Sequence, residues 1–403
     1  MAHSTLLRCV LRSAATMLAL CTAATAQEAG GSQEPKSGLS PGAVMAIGRT
    51  ASPRTTLAKT EPAAAQAIER GLAWLRDHQD VDGRWNSEGF MRHDKGQPSS
   101  GSGSPVNDVG NTGLAVLALA REGVATKDDP NRLAMLKAAH WLKDQQNKNG
   151  LLGQAASASF IYSHAIGTLG LCAVAAATDS AKAREAAKPA LGYLEDHRNP
   201  FGVWRYQPRD NDNDTSVTTW CVLAELAGLE LGLQIDDKAL KCAAVWFDAV
   251  TDQTGRAGYM KLGDGSSRPF GKVQRFPRAK GEAMTAAGLL CRLALGQQQR
   301  DVPVLAAAAD RLVAKPPEWD PESGAVDECY WFLASEALRH FGGKQRAQWN
   351  GKLVAALLAG QQQDGAAAGS WDPVGPWGDD GGRVYATALA VLSLQSLYPL
   401  PAK

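Results

Sequence analysis

The sequence predicts an all-α protein whose twelve helices, arranged as six hairpin pairs, close into an (α/α)6 barrel. Three observations carry this expectation. From Pro62 onward Ala, Leu and Trp recur at helical spacing, and no stretch alternates apolar and polar residues as a half-buried strand would. A helix-end signature returns along the chain, first in residues 70–85, where Leu72, Trp74 and Leu75 are followed by Gln79, Gly83 and Trp85. After each copy comes a loop and a second apolar stretch; two-helix units repeating at roughly 45 to 65 residues stack as an open solenoid or close into a ring. The chain supplies no polar-faced capping repeat at either end, which favours the ring.

Taken in order, residues 1–26 read as a secretory signal. Arg8 and Arg12 precede the apolar run of residues 13–22, and Ala24-Thr25-Ala26 forms a small-residue cleavage site. Export to the periplasm or the extracellular space is therefore expected, and no later run reaches the roughly 18 consecutive apolar residues that a membrane-spanning helix needs. Residues 27–61, rich in Gly, Ser, Pro and Thr, read as a flexible linker, and 62–403 as the barrel.

The second copy of the signature runs Trp141-Leu142, Gln146, Gly150 and Leu152, and the third Tyr193-Leu194, Arg198, Gly202 and Trp204. A weaker fourth copy runs Trp246-Phe247, Gln253 and Gly255, and the last runs Leu357-Leu358, Gln361, Gly369 and Trp371. The fifth, near residues 306–315, has lost its signature residues. The partner helices are expected at 107–122, 162–178, 214–231, 282–295, 327–341 and 383–398.

Composition narrows the function. Lys plus Arg number 42 against 41 for Asp plus Glu, so no net positive field concentrates the protein on a nucleic-acid backbone. Five cysteines beyond the signal sit singly in apolar stretches, as buried thiols do. A nucleophile elbow and a phosphate-binding glycine loop are both missing from the sequence.

With the copies aligned, residues 62–398 resemble the prenyltransferase and squalene-oxidase repeat family, which includes squalene-hopene cyclases, protein prenyltransferase β subunits and secreted bacterial proteins. The first copy meets every position of that family's QW motif. The resemblance implies a toroid in which inner helices line a central cavity while QW turns brace the outside, the Gln satisfying backbone groups at a helix end and the Trp covering the adjacent pair. Chemistry is then expected where the inner helices begin: Asp108 and Asn111, Tyr162 and His164, Asp214, Glu282, Asp327, Cys329 and Tyr330, and Arg383 and Tyr385. Helix capping explains part of this set, since Asp and Asn accept backbone N–H groups at helix starts.

Residues 210–216, Asp-Asn-Asp-Asn-Asp-Thr-Ser, resemble the acidic motif with which squalene-hopene cyclases protonate an alkene. Alignment on Thr215 makes Asp214 the last acid and puts Asn213 where the family's proton donor stands; a one-residue shift brings Asp212 or Asp214 forward as donor. Asp327-Glu328-Cys329-Tyr330 resembles the segment that supplies two zinc ligands in prenyltransferase β subunits, but the last inner helix reads Arg383-Val384-Tyr385 where that family has its His. No metal and no cofactor is expected. Asp214, Asp212 and His164 are the catalytic candidates, with Tyr162, Glu282, Asp327, Cys329, Tyr330, Arg383 and Tyr385 shaping a site for an isoprenoid or another small hydrophobic ligand. A ligand- or partner-binding toroid of the cell envelope, and a carbohydrate-cleaving barrel, remain open beside it. The basic loop 254–280 either covers the mouth or is a solvated surface.

Overall fold

The computed structural model describes residues 53–157, 160–298 and 302–400. The expected signal and most of the expected linker lie outside these residues. The linker expectation is corrected at its end: Pro53–Leu57 is a short helix that buries Leu57 against the first long helix, and Arg54 bonds Glu122 at 2.9 Å. A sequence poor in periodicity still becomes ordered when one apolar side chain and one ion pair hold it.

Twelve long helices follow among the described residues: α1 (Pro62–Asp77), α2 (Asp108–Ala120), α3 (Pro130–Asp144), α4 (Phe160–Thr178), α5 (Ala181–His197), α6 (Thr215–Glu230), α7 (Asp237–Val250), α8 (Ala283–Ala294), α9 (Val304–Val313), α10 (Glu328–Phe341), α11 (Gly343–Gly360) and α12 (Gly378–Gln395). The even-numbered helices pack side by side in the order α2, α4, α6, α8, α10, α12, and α12 returns to α2. The ring is closed. Each odd-numbered helix lies outside, wedged between the inner helix of its own pair and that of the pair before, so α1 rests on α12 as well as on α2.

Sequence texture follows this placement. All thirteen residues of α2 are buried, whereas α1 and α7 bury one face only, as amphipathic outer helices do. Helix α4, nineteen residues long, is apolar enough by length and composition to cross a membrane; here it is an inner helix, mostly buried in the ring.

The turns divide the labour differently from expectation. The Trp side chains pack inward on their own pair: the indoles of Trp85, Trp204 and Trp371 donate to the carbonyls of Leu75, Leu194 and Leu357, each on the preceding outer helix, at 2.7–2.8 Å. The Gln reaches forward instead. Gln79 Nε2 donates to Gly83 and to Ala134 of α3, Gln146 to Gly150 and Ala186 of α5, and Gln361 to Gly369 and Ala67 of α1, all within 3.1 Å. The last of these bonds joins the sixth pair to the first.

Gly83, with φ at +104°, shows why the turn needs glycine, for a Cβ there would stand 2.4 Å from the Lys137 carbonyl oxygen on the next outer helix. In the fourth copy the bridge partners are Thr251 and Ala257, so Thr251 holds the position assigned to Gln253. In the fifth, Tyr330 substitutes for the missing Trp by donating to the carbonyls of Leu312 and Lys315 at 3.3 and 2.9 Å. That makes Tyr330 a brace, buried away from the cavity.

Candidate functional site

One register runs through the inner helices. The backbone N–H at the Trp position of five turns donates to Thr112, His164, Thr218, Thr285 and Thr387, each one turn into an inner helix. Two residues before each of these acceptors comes a side chain or glycine facing the centre: Gly110, Tyr162, Ser216, Ala283 and Tyr385, with Cys329 of α10 completing the circle. One turn deeper stand Leu114, Ile166, Trp220 and Leu333, joined by Met284. These two tiers enclose a cavity of about 300 Å³ at the small end of the range for small-molecule sites. Its mouth carries Asn107, Asn111, Arg268, Asp327, Trp377 and Asp380.

The cavity is shut at depth. Trp220 stacks on Phe332 with centroids 5.8 Å apart, and the Arg121 guanidinium lies 5.9 Å from the centroid of that same Phe332 ring. Arg121 also pairs with Glu336 of α10 at 2.8 Å. An aromatic floor backed by a buried ion pair leaves the mouth as the way in.

Behind one wall lies a polar network. Asp214 is wholly buried and caps α6, accepting from Val217 N–H at 2.7 Å and the Ser216 hydroxyl at 2.9 Å on one oxygen, and from the Tyr259 hydroxyl at 3.3 Å on the other. Burial raises its carboxyl to about 6, against the pull of those bonds and of Arg205, 3.7 Å away. Ser216 bonds Tyr162 at 2.5 Å, so a chain of hydroxyls runs from Asp214 to the cavity wall. Burial and the Asp214 charge push the Tyr162 phenol well above its ordinary value. Tyr206 and Tyr259, bonded at 2.6 Å, complete the shell; Tyr259 belongs to the basic loop 254–280, whereas no sequence motif marks Tyr206.

No protein-family model matches the chain, and no curated protein matches it in sequence. Solved structures do match in shape. A type II terpene cyclase from Scytonema, solved with its substrate geranylgeranyl dihydroxybenzoate, superposes with a TM-score of 0.50 at 16% identity, over 84% of this chain and 98% of that one. An alpha-amylase from Clostridium perfringens superposes at 0.53 and 11%, over 83% and 98%. The chain has the terpenoid-cyclase-like α/α toroid fold.

Within this toroid the expected site residues separate into two groups. Tyr162, Asp327, Cys329 and Tyr385 line the cavity, and the Cys329 thiol lies against the Tyr385 hydroxyl. Asp327 caps α10 through Tyr330 N–H and pairs at 3.2 Å with Arg268 of the basic loop 254–280. The others are engaged elsewhere. His164 takes the place of the register threonines: Nδ1 accepts from Leu152 N–H, Nε2 donates to the Ala190 carbonyl, each at 3.0 Å, and burial lowers its pKa to about 3. It is a neutral brace between α4 and α5.

Asp212 is exposed and paired with Arg205 at 2.7 Å, and Asn213 accepts from Val203 N–H at 2.8 Å to shape the loop. Glu282 pairs with Arg311 at 3.0 Å and accepts from Thr285. Arg383 donates to Ser100 and Ser370 and pairs with Asp372, welding the long loop 84–106 to α12. Among the described residues no group of three metal-ligating side chains gathers.

Proposed function

We propose that the chain is an exported, cyclase-like toroid that takes up a small isoprenoid-type ligand, its apolar body in the chamber and its polar end at the mouth. The observation that carries this reading is the two-tier lining, in which Leu114, Ile166, Trp220, Met284 and Leu333 offer hydrocarbon and aromatic surface below a mouth edged by Asn107, Asn111 and the Arg268–Asp327 pair. An apolar body gains by leaving water, and a polar terminus keeps its hydrogen bonds at the rim. The same division of apolar tail and polar head exists in the substrate held by the Scytonema cyclase.

Holding a ligand suits this wall better than starting a cation. Protonating an alkene needs a strong acid in contact with it, whereas Asp214 titrates near 6 and stands behind Ser216 and Tyr162. The hydroxyl chain from Asp214 favours a second, catalytic reading in which protons move between Asp214 and a heteroatom of the ligand near Tyr162. Loss of isoprenoid turnover in both Asp214→Asn and Tyr162→Phe, with binding kept, would support it.

The deciding experiment is lipid extraction and mass spectrometry of the purified mature protein, followed by titration with farnesol and geranylgeraniol read by tryptophan emission. A co-purifying isoprenoid or saturable quenching is expected. An oligosaccharide in the extract, or no saturable response to either alcohol, overturns the proposal.

A further inference from the structure

The loop between α7 and α8 carries charge and apolar surface that the toroid does not use. The whole chain is nearly neutral, yet residues 254–280 hold seven basic side chains and one acidic, Asp264. Lys261, Arg275, Arg278 and Lys280 are exposed. Between them Leu262, Phe270 and Val273 also face solvent, Phe270 at 105% of its reference exposure. Scattered exposed apolar residues are ordinary, but three large ones within twelve residues of one loop, set among cations, exceed that scatter.

This exposure belongs to a pinned loop. Arg268 is fixed to Asp327 at 3.2 Å and Lys272 to Asp379 at 2.7 Å, so Phe270 sits midway between two anchors on different inner-helix entries, α10 and α12. Phe276 is buried, and the Arg275 guanidinium lies 5.0 Å over its ring. Ser267 and Arg268 line the cavity, which places this stretch on the face that holds the mouth.

We infer that residues 261–280 dock this face of the toroid on an anionic lipid surface, with Leu262, Phe270 and Val273 entering the headgroup boundary and Lys261, Arg278 and Lys280 meeting the phosphates. Apolar tips with a basic surround are what an interfacial site needs, since each component alone binds weakly. Docking does not depend on what fills the cavity. If the proposed ligand is right, docking also delivers it from bilayer to mouth without passage through water.

The test is flotation of the mature protein with vesicles of phosphatidylcholine alone or with about a third phosphatidylglycerol, containing no isoprenoid. Binding to the anionic vesicles and little to the neutral ones is expected. Phe270→Ser with Val273→Ser should weaken partition at least about tenfold, and each of Lys261→Gln, Arg278→Gln and Lys280→Gln roughly fivefold, with unchanged melting temperatures. Absence of vesicle binding overturns the inference and makes an acidic protein the better partner, while equal binding to both vesicles or undiminished binding of the serine variant overturns it outright. Because the vesicles contain no isoprenoid, this outcome is separable from that of the ligand experiment.

Discussion

Asp214 joins a structural duty to a chemical one, and its titration exposes both. Because its folded pKa lies near 6, above the value of about 3.9 in an unfolded chain, its contribution to stability is fully present below pH 4 and is lost as pH rises through 6. The loss amounts to about 3 kcal/mol. Asp214→Asn imitates the neutral carboxyl and still accepts from Val217 N–H, so its chemical-denaturation stability should match the parent at pH 4 and exceed it at pH 7. A parent and variant that lose stability in parallel across that range would rule this out. His164 acts in the opposite sense: its folded pKa near 3 makes stability fall as pH drops below about 6.5.

At the scale of elements, the turn glycine and a helix glycine make opposite predictions. Gly83→Ala forces an L-residue to positive φ and a methyl group against the Lys137 carbonyl, a loss of about 3 kcal/mol or more. Gly192 in α5 is exposed with no atom within 4 Å of its would-be Cβ, so Gly192→Ala should stabilise by roughly 0.5–1 kcal/mol. Calorimetric melting of the two variants checks the pair. The helix pairs were legible in the sequence because burial writes a period of 3.6 into outer helices such as α1 and α7 and leaves inner helices such as α2 apolar nearly all round, and the Gln, Gly and Trp of the turns mark their ends. Positions held by short side chains were not legible: Thr251 is silent where Gln was sought. His164 was misread because the role of its register position, held by threonine elsewhere, depends on a turn N–H that only the fold brings near. Trp220 was passed over for the converse reason, since a Trp inside an apolar helix reads as ordinary core until its helix is known to face the centre.

For the whole molecule, closure is the property with the largest consequences. The two ends of the described chain meet at Glu122, which bonds Arg54 at one end and Tyr398 at the other. A circular permutant that joins residue 400 to residue 53 and opens in the 231–236 turn should therefore keep the helix content and cooperative melting of the parent, measured by circular dichroism. Deletion of residues 343–400 should abolish cooperative melting, because α1, α2 and α10 each lose a neighbour; an open solenoid would keep its remaining repeats. The forward reach of Gln361 to Ala67 gives every pair a head and a tail, so the six pairs are related like the subunits of a cyclic oligomer written into one polypeptide. If the seam between α11 and α1 opens, the freed head of one molecule is complementary to the freed tail of another. The bond that completes the ring then links separate chains end to end, and concentrated, partly denatured protein should accumulate exchanged dimers and longer multimers that dilution converts back to single rings.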